Sequence, residues 1–126
     1  MIGFASIKNR KINEEIFNFL KNLNFNIVNV FHPTSILEPD IKLGKGVKIY
    51  KGVIICKGVK IKNNVLILNG SNIDHDCIIN SHVQISSGCN LAGNVEVGKL
   101  SFIGMGTNII QGVKIGKNCI IGAGSV

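Results

Sequence analysis

An aliphatic residue recurs at every sixth position from Leu37 to Ile121. All fifteen residues at this position are Leu, Ile or Val, and the position two residues earlier holds only small or β-branched residues from Ile41 onward. A spacing of two places both side chains on one face of a β-strand. A helix of about 3.6 residues per turn cannot keep a period of six on one face. A helical fold is therefore excluded over this range.

Short strands joined by tight corners satisfy the repeat. Gly, Asn and Lys are frequent between the apolar pairs, where the chain must turn. Three strands complete a coil of 18 residues, and the repeat runs without insertion from residue 37 to residue 126, which is about five coils. No coil can bury its apolar face alone, so each must stack on the next. A β-sandwich would need longer strands and irregular turns, so we expect an all-β parallel solenoid.

The same register explains three of the four cysteines. Cys77, Cys89 and Cys119 fall on the inward small position, where a buried thiol is an ordinary filler. Cys56 falls just outside that position, which leaves a reactive role open. The spacing of the cysteines and histidines is not that of a metal site. We expect reduced cysteines and no bound metal.

Residues 1–36 do not follow the repeat. Between Lys11 and Leu23 the apolar residues recur at helical spacing, and Asn9 is a suitable N-cap. The stretch FNIVNV at 25–30 predicts a strand that HPT at 32–34 ends, and we interpret His32 as a junction residue. The sequence thus predicts a helix–strand segment at 1–36 and a β-solenoid at 37–126.

Charge and hydropathy restrict the partners. The formal net charge is +7, but the lysines are scattered and are not interleaved with aromatic residues, so a nucleic-acid partner is not expected. The chain has no apolar stretch of about 18 residues and no signal-peptide pattern. We expect a cytoplasmic protein without a membrane partner.

The stretch NIDHDCIIN at 72–80 places a histidine between two aspartates inside an apolar run. Because Ile73 and Cys77 point inward, His75 falls on an outer corner of the coil. One coil of 18 residues further on stands Gly93, which leaves an open notch above the imidazole. An imidazole that titrates near neutrality can act as a general base, and a carboxylate on its other nitrogen fixes the tautomer. Asp74 and Asp76 are both candidates for that carboxylate.

These motifs resemble a known family. IDHDCII, ISSGCNLAGNVEVG, SFIGMGTNIIQGVKIG and CIIGAGSV are similar to consecutive motifs of bacterial hexapeptide-repeat sugar acetyltransferases, which include sialic acid O-acetyltransferase and the UDP-N-acetylbacillosamine-type aminosugar N-acetyltransferases. The stretch from Asn9 to Ile36 is similar to the last helix and strand of that family's Rossmann-like N-terminal domain. The resemblance implies a left-handed parallel β-helix, a hand that is an exception among parallel crossovers.

The resemblance also implies an activity and a site. It implies direct acetyl transfer from acetyl-CoA to a sugar or nucleotide-aminosugar, with no metal, in a homotrimer. His75 would be the general base and Asp76 its partner. Acetyl-CoA would lie in the groove between neighbouring prisms, and Gln84 stands where the family commonly has a second histidine. The residues expected to contact acetyl-CoA are Gln84, Gly93, Gly104, Met105 and Ala123.

Two features keep a second hypothesis open. The front half of the family's N-terminal domain has no counterpart in this sequence, and the family continues past the position of Val126 through more coil and a C-terminal segment. The alternative is a non-catalytic truncated β-helix scaffold or pseudoenzyme that assembles as a trimer. A zinc site of the kind found in β-helical carbonic anhydrases is disfavoured, because His75 and His82 project from different corners. The choice between an amine and a hydroxyl acceptor stays open.

Overall fold

The computed structural model describes residues 7–126, and the first six residues of the predicted front segment lie outside the described residues. A 3-10 turn at Ile7–Asn9 leads into helix α1 at Arg10–Asn22, and two-residue strands follow. The strands are β1 Val30–Phe31, β2 Ile36–Leu37, β3 Lys42–Leu43, β4 Lys48–Ile49, β5 Ile54–Ile55, β6 Lys60–Ile61, β7 Leu66–Ile67, β8 Asn72–Ile73, β9 Ile78–Ile79, β10 Gln84–Ile85, β11 Asn90–Leu91, β12 Glu96–Val97, β13 Phe102–Ile103, β14 Asn108–Ile109, β15 Lys114–Ile115 and β16 Ile120–Ile121.

Every third strand belongs to the same parallel sheet, so the chain winds around three faces. Face A contains β1, β4, β7, β10, β13 and β16; face B contains β2, β5, β8, β11 and β14; face C contains β3, β6, β9, β12 and β15. Paired residues are 18 apart, as in Ile49↔Ile67 and Ile55↔Ile73. We name the three corners AB, BC and CA after the faces they join. The predicted fold class is confirmed: a parallel β-solenoid of about five coils, consistent with a left-handed parallel β-helix.

The apolar positions of the repeat form one continuous core. Ten consecutive members, from Ile49 to Ile103, are at most 2% exposed. Where the repeat places a hydroxyl inward, it donates to a backbone carbonyl: Ser71 Oγ donates to Ser86 O at 2.8 Å. That hydrogen bond offsets the cost of burying a polar group. Cys77 and Cys89 are buried in the core as predicted, and burial raises the pKa of the Cys77 thiol to about 11.

Helix α1 lies along corner CA. Its Phe17 is 2% exposed, and its ring packs edge-on against the His82 ring at 5.5 Å between centroids. The helix starts one residue earlier than predicted, and Asn9 occupies the N-cap without a side-chain capping bond. Near its start, Arg10 Nη1 donates to Cys119 O at 3.3 Å. The helix is therefore attached along several coils of the prism.

The predicted strand at residues 25–30 is wrong except at its end. Only Val30–Phe31 forms a strand, and it pairs with Lys48–Ile49 of β4. The preceding residues cross from the helix to the first coil and have no parallel strand beside them, so their β-propensity finds no backbone partner. Residues before Leu37 thus add a strand to face A. The assignment of residues 1–36 to a remnant of a Rossmann-like domain stays a prediction.

The buried His82 should make the stability of the fold pH-dependent. His82 is 6% exposed, its Nδ1 lies 3.0 Å from Asn64 Nδ2, and its Nε2 lies 3.8 Å from Glu14 Oε1. Burial lowers the pKa of His82 below 6.5, opposed by Glu14 and supported by Lys99 and Lys48. The unfolded chain therefore binds a proton more readily than the folded one. We expect the free energy of unfolding to fall as the pH drops from above 6.5 toward the lower folded pKa.

Urea unfolding at pH 7.5 and pH 5.5 measures this effect. The variant His82→Gln carries no titrating group, so its loss of stability between the two pH values should be smaller than that of the wild type. An equal loss in both proteins would show that other groups control the pH dependence.

Candidate active site

Corner BC carries the candidate base. Ile73 and Cys77 are fully buried, so the residues between them turn outward. Asp76 has a φ of 58°, a left-handed conformation that allows the tight corner. The side chain of His75 is 41% exposed and that of Asp76 is 58% exposed. Both groups are open to a ligand from solvent.

The two aspartates have different partners. His75 Nδ1 lies 3.0 Å from Asp76 Oδ2, whereas Asp74 Oδ1 accepts the backbone N–H of His75 at 2.7 Å. Asp76 is therefore the carboxylate that orients the imidazole, and Asp74 caps the turn. Sequence reasoning left these alternatives open.

Two glycines make room for the His75–Asp76 pair. A Cβ atom on Gly93 would lie 2.5 Å from His75 Nε2 and 2.6 Å from Cε1, so the imidazole occupies the space that a side chain would need. One coil below Asp76, a Cβ on Gly58 would overlap Asp76 Oδ1. Sequence reasoning found Gly93 and missed Gly58, although Gly58 precedes Asp76 by one coil of 18 residues.

The free ring nitrogen defines what the pair can do. With Nδ1–H donated to Asp76, Nε2 keeps its lone pair, and it has no hydrogen-bond partner among residues 7–126. A neutral imidazole in this tautomer can accept a proton from a hydroxyl or an amine. The adjacent carboxylate then stabilises the imidazolium that forms.

The other residues predicted to contact acetyl-CoA lie elsewhere on the prism. Gly104, Met105 and Ala123 are together at corner AB, where the side chain of Met105 is 62% exposed. Gln84 is on face A and only 5% exposed. Face B separates corner AB from corner BC, so within one chain only Gly93 of the predicted set touches His75. The roles of the others stay predictions.

Face B carries two polar features that sequence reasoning did not connect with the site. Asn72, Asn90 and Asn108 form an exposed amide ladder in which each Nδ2 donates to the next Oδ1 at 2.8 Å. Cys56 lies below Asp74 on this face, and burial, Glu38 and Asp74 raise the pKa of its thiol. A raised pKa disfavours the thiolate, so Cys56 is a poor nucleophile.

Residues 7–126 contain no cluster of three or more His, Cys, Asp or Glu side chains placed to hold a metal ion. Within the same range, the helix is too short to cross a membrane.

A triangular prism built from six-residue repeats is the architecture of hexapeptide-repeat transferases. Comparison with known proteins supports this assignment of the fold. Residues 94–126 match the family model described as bacterial transferase hexapeptide (six repeats). None of the curated proteins matches the sequence. The similarity to solved structures is extensive.

The acetyltransferase domain of PglB from Neisseria gonorrhoeae, in complex with acetyl coenzyme A, is 29% identical with a TM-score of 0.90 over 94% of this chain and 58% of that one. PerB from Caulobacter crescentus, in complex with CoA and GDP-perosamine, is 33% identical with a TM-score of 0.91 over 96% of this chain and 58% of that one. WeeI from Acinetobacter baumannii, at 23% identity and a TM-score of 0.89 over 94% of this chain and 58% of that one, supports the fold alone. The predicted resemblance to bacterial hexapeptide-repeat acetyltransferases is confirmed, and this chain spans 58% of the length of these proteins.

Proposed function

We propose that this chain is the β-helical part of an acetyltransferase that transfers the acetyl group of acetyl-CoA to the amino group of a nucleotide-linked sugar. The observation that carries the proposal is the free Nε2 of His75, oriented through Asp76 and placed against Gly93. The comparisons support the substrate class: a perosamine N-acetyltransferase from Caulobacter crescentus, 32% identical, is in complex with CoA and GDP-perosamine. They favour an amine over a hydroxyl acceptor.

The proposed transfer is direct. The amine nitrogen attacks the thioester carbonyl and forms a C–N bond, while His75 Nε2 takes the proton that the nitrogen loses. The tetrahedral oxyanion then collapses, the C–S bond breaks, and the departing CoA thiolate receives that proton from the imidazolium. Asp76, 3.0 Å from Nδ1, stabilises the imidazolium between these steps.

The backbone N–H of Gly93 is the donor that the proposal assigns to the oxyanion. One coil below, the N–H of His75 donates to Asp74 Oδ1 at 2.7 Å. The residue before Gly93 is Ala92, which has no side-chain acceptor, and the Gly93 N–H has no partner among residues 7–126. A fixed, unpaired N–H beside the base is suited to stabilise charge that develops on a carbonyl oxygen.

The proposal includes a homotrimer in the cytoplasm. Corner AB and corner BC are separated by face B within one chain. In a ring of three copies, Gly104, Met105 and Ala123 of one prism would face His75 of the next. Acetyl-CoA would then lie between two copies.

A coupled assay tests the function. We expect release of free CoA thiol from acetyl-CoA with a nucleotide-linked 4-amino sugar as acceptor, and slower release with sialic acid as a hydroxyl acceptor. Calorimetry with acetyl-CoA provides an independent measure of binding. Sedimentation as a trimer with no acetyl-CoA binding and no transfer would overturn the proposal and favour a non-catalytic scaffold.

A further inference from the structure

Three exposed lysines of the early coils, two on face C and one where face C meets corner CA, form no ion pair with an acidic residue within residues 7–126. Lys42 of β3 and Lys60 of β6 are register partners on adjacent parallel strands, and Lys62 follows Lys60 at the next outward position. We call Lys42, Lys60 and Lys62 the lysine patch. None of the three takes part in an ion pair within residues 7–126.

Further along face C, the charge of a lysine is neutralised by an acidic residue on the neighbouring strand. In β15, Lys114 Nζ lies 3.9 Å from Glu96 Oε2 of the neighbouring strand. At the lysine patch the corresponding cross-strand pair is Lys42 opposite Lys60, and like charges directly opposite each other are destabilising. At corner BC of the early coils, the Asp76 carboxylate contacts His75 and the Glu38 carboxylate accepts the Lys57 N–H at 2.8 Å. Asp40, at the same corner, forms no ion pair within residues 7–126. The patch is therefore a surface of unbalanced positive charge.

We propose that the lysine patch binds the diphosphate of the nucleotide-linked sugar whose amino group His75 deprotonates. This inference rests on the proposed function. Lysine ammonium groups bind phosphate by electrostatic attraction and donate charge-assisted hydrogen bonds to its oxygens. Lys42 and Lys60 lie about 4.8 Å apart at their backbones, a spacing at which both ammonium groups can contact the oxygens of one diphosphate.

Distance selects this diphosphate over that of acetyl-CoA. Ile78, the register partner of Lys60, follows His75 by three residues, so their Cα atoms are at most about 10 Å apart, and the left-handed turn at Asp76 brings them closer. A sugar amine is about six bonds from the first phosphorus of a nucleotide sugar, or roughly 7 Å at about 1.2 Å per bond. The thioester sulfur of acetyl-CoA is about thirteen bonds from its diphosphate, or roughly 16 Å. The distance from the sugar amine to the first phosphorus, together with the length of one lysine–phosphate contact, fits the separation between His75 and the lysine patch. The longer distance in acetyl-CoA exceeds that separation.

Calorimetry tests this assignment. The probes are UDP, GDP, inorganic pyrophosphate and CoA, each titrated into the wild type, into Lys60→Ala and into the double variant Lys42→Ala/Lys60→Ala. We expect the Kd of the nucleoside diphosphates to rise about tenfold or more in the double variant, and the Kd of CoA to stay within about twofold. Pyrophosphate should follow the nucleotides. In the transfer assay, the KM for the acceptor should rise while the rate at saturating acceptor is retained.

Lys117→Ala is the matched control, because it also removes one positive charge from an exposed lysine, at corner CA of the last coil. It should leave every Kd unchanged. Equal nucleotide binding by the wild type and the double variant, a loss confined to CoA, or an equal loss in Lys117→Ala would each overturn the assignment. Transfer by a protein whose lysine variants bind nucleotide normally would overturn the patch alone, whereas lysine-dependent nucleotide binding without any acetyl transfer would overturn the proposed function.

Discussion

The substitution His75→Ala should lower the rate of acetyl transfer by about 100-fold to 10,000-fold, the range that a positioned general base contributes. The side chain is 41% exposed, and its polar contact is with Asp76, so its removal should leave the fold intact. The amine would then lose its proton to water. The measurement is the release of CoA thiol at saturating acetyl-CoA and acceptor, with circular dichroism as the check on folding.

Two variants sharpen this experiment. Asp76→Asn keeps the size of the partner and removes its charge, so it should give an intermediate loss of rate. His32→Ala removes another exposed histidine, at corner AB, whose Nδ1 lies 2.9 Å from Thr34 Oγ1, and should transfer normally. Equal rates for His75→Ala and the wild type would refute the role of His75.

The substitution Gly93→Ala should lower the rate of transfer by about 100-fold or more. The added Cβ would lie 2.5 Å from His75 Nε2, and its position is fixed by the backbone, so the imidazole has to move. The imidazole must rotate away from the site where the amine is deprotonated, and a displacement of about 1 Å can cost about 100-fold.

Gly116→Ala is the control for this variant. Its Cβ would meet only Cys119 Sγ, at an ordinary 3.5 Å, and Gly116 has no left-handed φ. It should therefore retain both stability and activity. A second test, Ala92→Asn, leaves the imidazole free but places an amide oxygen where it can accept the Gly93 N–H, as Asp74 accepts that of His75. Its rate should fall while acetyl-CoA binding is retained; full activity of Gly93→Ala would contradict the proposed site.

The six-residue period of the sequence predicted which residues of the prism point inward and which point outward. It placed Ile49 through Ile103 inward, located Cys77 and Cys89 in the core, and put His75 on an outer corner one coil below Gly93. These predictions succeeded because each inward position is set by the two-residue pleat of a strand and by a fixed coil length, both of which are readable along the chain. The prediction of a strand at 25–30 was wrong because a strand also needs a neighbouring strand, which the local sequence does not reveal. Its residues favour extended structure, but only Val30–Phe31 lies beside a strand of the next coil.

What the sequence determined by itself is the solenoid, its 18-residue stacking and the outward placement of the base. Only the tertiary structure decided that Asp76 and not Asp74 holds the imidazole, that Gly58 and Gly93 make room for the pair, and that helix α1 covers corner CA through Phe17 and His82. The physical reason is that a repeat fixes where each backbone segment lies, whereas a hydrogen bond at 3.0 Å depends on side-chain torsions and on contacts between residues a full coil apart.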